Sequence, residues 1–120
     1  MEGKSKRSEE REEGFRLIFS LGFEDGAGDE ERVLTATGFT KEILEKTSEN
    51  LEKIDEHIKN NLNKWKFERI NKVDLALIRV AICEILFLET PKPVAISEVL
   101  KLAKDYNGSE TFINGILAKI

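Results

Sequence analysis

Chemistry in this chain would have to come from cations and carboxylates, because the residue types that usually run catalysis or hold metals are nearly missing. There is one cysteine, Cys83, and one histidine, His57, in 120 residues. Cys83 lies inside an apolar run and reads as a small buried hydrophobe; a lone cysteine offers neither a disulfide framework nor a metal cluster. His57 stands on a charged helix face between Glu56 and Ile58, with no second histidine and no nearby cysteine to complete a site. No glycine-rich phosphate loop, G-x-S-x-G or H-E-x-x-H is present. The many Asp and Glu residues are spread as solvated helix faces. A binding module is therefore expected, with no enzymatic activity, no cofactor and no metal.

Two cationic stretches could meet nucleic acid. The first is Lys4, Lys6 and Arg7 with Arg11 just beyond, four cations for backbone phosphates, although Ser8, Glu9 and Glu10 interrupt them and the two glutamates repel the same phosphates. The second is residues 59–72, with five basic residues against one acid and with Trp65 and Phe67 interleaved. Such a mixture could stack bases and neutralise RNA. The aromatics flank helix boundaries, however, which favours a packed connection with lysines complementing a helix C-terminus. The formal charge of −4 is uneven: residues 1–30 carry five basic and nine acidic side chains, and the other ninety carry fourteen of each. Any RNA site must be local.

The elements that would position these groups are all helical. Residues 70–87 form a long apolar run in which Leu75, Ile78, Ile82, Ile85 and Leu86 recur at helical spacing, widened by Ala76, Val80, Ala81 and Cys83 into a central, mostly buried helix. Asn71 suits its N-cap, Asp74 its N3 position, and Ile70 with Leu75 a hydrophobic staple. Arg79 and Glu84 interrupt the run, too far apart to share a face, so each should meet a loop, a helix end or a partner. Upstream, residues 1–8 read as a flexible basic arm. A first helix follows from about Ser8 with Phe15, Ile18 and Phe19 on one side, then a loop at 26–28 and a short helix over 29–37 anchored by Val33 and Leu34. A long amphipathic helix is expected over 40–62 along Ile43, Thr47, Leu51, Ile54 and Ile58. After the stiff T-P-K-P turn at 90–93 a helix runs to Tyr106, Asn107-Gly108 closes it, and Ser109 caps a last helix with Phe112, Ile113, Ile116 and Leu117 inward. The expected fold is one all-α domain over 9–120 with about seven helices. No apolar run reaches membrane-spanning length and no secretory segment opens the chain, so the expected location is cytoplasmic.

Three blocks carry a resemblance. D-L-A-L-I-R-V-A-I-C-E-I-L at 74–86, P-V-A-I-S-E-V-L-K-L-A-K at 93–104 and F-I-N-G-I-L at 112–117, taken together, resemble the bacterial transcription antitermination factor NusB family over roughly residues 60–120. The resemblance implies two small packed helical bundles and no catalysis. It implies binding of boxA RNA together with the ribosomal protein NusE, loading onto the elongation complex with RNA polymerase, and service to ribosomal RNA operons. It assigns Arg7, Arg11 and Phe112 to RNA, where Lys4 and Lys6 join them as cations of the same arm, and Phe19 and Asp74 to the protein partner; core packing is the equal alternative for Phe19 and Phe112. Ser97 stands where the family has asparagine, and Thr111 where a basic residue commonly precedes the last block. Two alternatives stay open: the RNA-binding domain of a ribosomal RNA cytosine methyltransferase, which would require truncation at Ile120, and a helical adaptor without RNA contact. A homodimer is also left open.

Overall fold

A computed structural model describes residues 4–21, 30–63 and 66–120. Among them the chain forms seven α-helices and one 3-10 turn, with no strand: α1 Lys6–Leu21, α2 Glu30–Thr35, α3 Gly38–Glu49, α4 Leu51–Asn60, the turn Phe67–Arg69, α5 Lys72–Phe87, α6 Lys92–Asp105 and α7 Glu110–Leu117. The expected loop at 26–28 and Trp65 lie outside the described residues.

The apolar run folds into α5, which packs against α1, α3, α4, α6 and α7 and is the member shared by the two groups of helices. Its middle is buried all round: Leu77, Ile78, Val80, Ala81, Ile82 and Cys83 are fully enclosed. Ile85 is only half-buried and Leu86 is exposed, because the last turn of α5 approaches the turn into α6 and loses its neighbours there.

Local signals place the helix ends. The Asn71 side chain accepts hydrogen bonds from the N–H groups of Val73 at 2.8 Å and Asp74 at 3.3 Å, capping α5 as expected. Asn107 takes a left-handed conformation with φ 63, and the Gly108 N–H returns to the Ala103 carbonyl at 2.8 Å. Ser109 Oγ then accepts from the Phe112 N–H at 3.2 Å to open α7.

Several expectations are corrected. The long helix over 40–62 is two helices broken at Asn50, whose side-chain amide and backbone N–H both donate to the Lys46 carbonyl, at 2.9 and 3.1 Å, and close the end of α3. The first helix starts at Lys6, because Ser5 Oγ accepts from the Ser8 N–H at 3.0 Å and acts as the cap. Residues 6–8, expected to belong to the basic arm, are thus helical. In α2 Val33 packs on the core, but Leu34 is 85% exposed and anchors nothing.

Candidate nucleic-acid interface

Arg11, expected to meet phosphate, faces inward. On α1 it is 2% exposed and its guanidinium makes a two-pronged pair with the fully enclosed Glu84 of α5, Nε to Oε2 at 2.5 Å and Nη2 to Oε1 at 2.7 Å. Nη1 reaches Glu98 of α6 at 3.1 Å. Glu84 also accepts from the Thr90 hydroxyl at 2.9 Å, and the Ser8 hydroxyl donates to Glu98 at 2.8 Å. Burial alone would raise the Glu98 pKa, but Ser8, Lys101 and Arg11 together hold it below the usual carboxylate range. Three of its five N–H groups are thus used inside the protein, and the side chain ties α1 to α5 and α6. The sequence signal was Glu84, an acid inside an otherwise apolar run that required a cation from elsewhere in the chain.

Arg7, one turn earlier, is exposed and lies over the ring of the buried Phe39 on α3, 3.9 Å from its centroid. The ring is delivered there by a junction invisible in the sequence. Gly38 has φ +60, and a Cβ on it would stand 2.8 Å from Glu10 Oε2. The Glu10 carboxylate accepts from the Phe39 N–H at 3.2 Å while its carbonyl accepts from the Thr40 hydroxyl at 3.0 Å. Glu10 is thus an inter-helix cap rather than a free negative charge on the arm, whereas Glu9 is exposed. Lys4 pairs with Glu12, and Lys6 is exposed. Glu12 in turn accepts from the Tyr106 hydroxyl at 2.6 Å, and Arg16 Nε donates to the same hydroxyl at 2.6 Å. Lys4, then Tyr106, hold the Glu12 pKa down.

The remaining predicted residues gather elsewhere. Asp74 is buried and its Oδ1 accepts from the Ser109 N–H at 2.8 Å, joining α5 to α7 rather than answering the α5 cap. Burial pushes its pKa up, and the Ser109 N–H only partly offsets this. The half-buried Phe112 shares a cleft with Asp74, Arg69 and Asn71. Ten residues of helix separate Asp74 from Glu84, about 15 Å, so Phe112 and the Arg7 group stand at opposite ends of α5. Phe19 is 44% exposed, tilted against Phe15 with centroids 6.3 Å apart. In the second basic stretch, Phe67 is half-buried with Lys59 Nζ 4.9 Å and the Arg79 guanidinium 5.8 Å from its ring, and Arg79 is clamped to Asp55 by two bonds of 2.9 Å. The protein's own cations cover that ring, so it packs the connection. Cys83 donates weakly to the Ile43 carbonyl at 3.8 Å, and burial pushes its thiol pKa up to about 11, which keeps it protonated and unreactive. Among the described residues no group of His, Cys, Asp and Glu could hold a metal ion, and no helix is long and apolar enough to cross a membrane.

Comparison with known proteins gives one consistent result. The NusB family model matches residues 7–120. The transcription antitermination protein NusB of Clostridium botulinum (strain Kyoto / Type A2) is 48% identical over 85 residues, covering 68% of this chain but only 59% of that relative's length. The NusB protein of Finegoldia magna is 36% identical over 127 residues, covering 95% of this chain and 92% of the relative. Among solved structures, T. maritima NusB superposes with a TM-score of 0.79 at 33% identity, covering 98% of this chain and 91% of that one.

Proposed function

The chain belongs to the NusB family, and on that premise we propose that it is a cytoplasmic transcription antitermination protein. In this reading it binds boxA-type RNA together with the ribosomal protein NusE and joins the elongation complex with RNA polymerase on ribosomal RNA operons. The observation that carries the RNA contact is Arg7, an exposed guanidinium whose carbon lies 3.9 Å from the centre of the Phe39 ring. Contact with the ring restrains the side chain and leaves its N–H groups for phosphate, at a lower entropic cost than a free side chain would incur. Lys6 stands one residue away, and Lys4 is joined to Glu12 by a surface pair that is weak enough to exchange for RNA.

Three cations thus serve RNA here, not four, since Arg11 is committed to Glu84. Counterion release on a single strand then gives a salt slope of about −2, and weak binding by the protein alone. NusE would raise the affinity by adding a second RNA surface held next to the first. The surface offered to NusE in this reading includes Phe19, whose ring is exposed. Asp74 would act there through the α5–α7 junction, because its carboxylate is turned to Ser109.

The test is an anisotropy titration of labelled boxA and scrambled RNA at several salt concentrations, with and without NusE. The expected result is weak binding alone, strong boxA-selective binding with NusE, and a loss in both on changing Arg7 to Glu. Failure of the NusE mixture to distinguish boxA from scrambled RNA would overturn the proposal.

A further inference from the structure

We propose that the groove between α6 and α7 docks an acidic, amphipathic helical segment of another protein. The inference does not rest on the RNA reading, because α6 presents three separate faces. Ala95, Val99, Leu102 and Ala103 point into the core, and Glu98 turns to α1 through Ser8 and Arg11. The third face carries Pro93, Ile96 and Leu100 at successive turns, and these line an open groove of about 750 Å³ whose far wall comes from α7. Ile96 and Leu100 are only half-buried although they pack on the core's edge, so α6 keeps an aliphatic strip that no described element covers.

The rim decides the occupant. Lys92, Lys101 and Lys104 line the groove against the single acid Glu110, giving local positive charge on a chain whose net charge is −4. Lys92 is fixed at one end, donating to the carbonyls of Ala118 at 3.1 Å and Ile120 at 2.7 Å. Lys101 makes one long contact of 3.3 Å with Glu98, and Lys104 is exposed. No aromatic side chain lines the groove, so it lacks the stacking platform that single-stranded RNA uses. An aliphatic floor between cationic edges suits a helix with apolar residues at i, i+4 and i+7 flanked by carboxylates. From Pro93 to Lys104 the strip is about 16 Å long, room for about three turns.

The test uses the full ¹⁵N-labelled chain and two lactam-stapled peptides of about three turns with the same three leucines, one flanked by glutamates and the other by lysines. The glutamate peptide should shift the amides of residues 92–104 and 110–118 and bind at least about tenfold more tightly than the lysine peptide. The double variant Lys101→Glu, Lys104→Glu should reverse that preference while the spectrum outside the groove stays unchanged. Equal binding of the two peptides, absence of binding, or shifts confined to another surface would overturn the proposal. So would the same groove amides responding to oligouridine, or to protein concentration alone, which would assign the face to RNA or to a second copy of this chain.

Discussion

Arg11 shows how one side chain can carry a different role from the one its type suggests. Its pair with Glu84 is enclosed, and removing one member of such a pair leaves the other charge buried without compensation. Arg11→Met should therefore cost about 3–5 kcal/mol in urea unfolding, and the double variant Arg11→Met, Glu84→Met should recover part of that loss. An equal or larger loss in the double variant would show that Glu84 is stabilised by something other than Arg11. Asp74 makes the opposite case. Its folded pKa is raised, so its charged form costs stability once the pH has climbed past the folded value, and the cost vanishes below the ordinary carboxylate value. Asp74→Asn keeps an oxygen for the Ser109 N–H. It should match or exceed the natural protein in stability at neutral pH, and that advantage should shrink as the pH falls from the raised folded value and be gone below about 4. An advantage that grows toward acid would reverse the sign argued here.

For the elements, α5 is the helix on which the others depend. Ile82 sits in its enclosed middle and Ile85 in its emerging last turn. Ile82→Ala should cost about 2–5 kcal/mol through the cavity it leaves, and Ile85→Ala clearly less, because a half-buried site can relax or admit water. Chemical denaturation of both variants would check the order. Sequence periodicity located α5 because a run of apolar residues has few other solutions, and its N-cap was legible because an asparagine before such a run satisfies the first N–H groups locally. The break at Asn50 was not legible: 40–62 carries one continuous amphipathic pattern, and the interruption depends on where α3 and α4 must each lie on α5 to bury Ile43 and Ile54. The close approach of α1 to α3 was equally hidden. It needs Gly14, where an added Cβ would stand 3.1 Å from Ile43 Cγ2.

At the scale of the whole molecule, the described helices start at Lys6. Because α1 begins at Lys6 with Ser5 as its cap, deleting residues 1–4 should leave the fold and the proposed NusE binding intact within about a factor of ten. Among the described cations it removes Lys4, so the RNA salt slope should become shallower by about 0.7. Calorimetry with NusE and RNA titration would separate the two effects, and a lost NusE interaction would place the partner on residues 1–4 instead. Helical class, the central helix, the caps at Asn71, Asn107 and Ser109, and the absence of catalytic motifs were all readable from residue order, since each rests on contacts within a few positions along the chain. Pairings across the chain were not. Arg7 and Arg11 look alike as letters, yet one lies on Phe39 at the surface and the other on Glu84 in the interior. Both guanidinium groups lie near the Phe39 ring, but only Arg11 reaches Glu84 and Glu98, and that depends on how α1 crosses α3, α5 and α6.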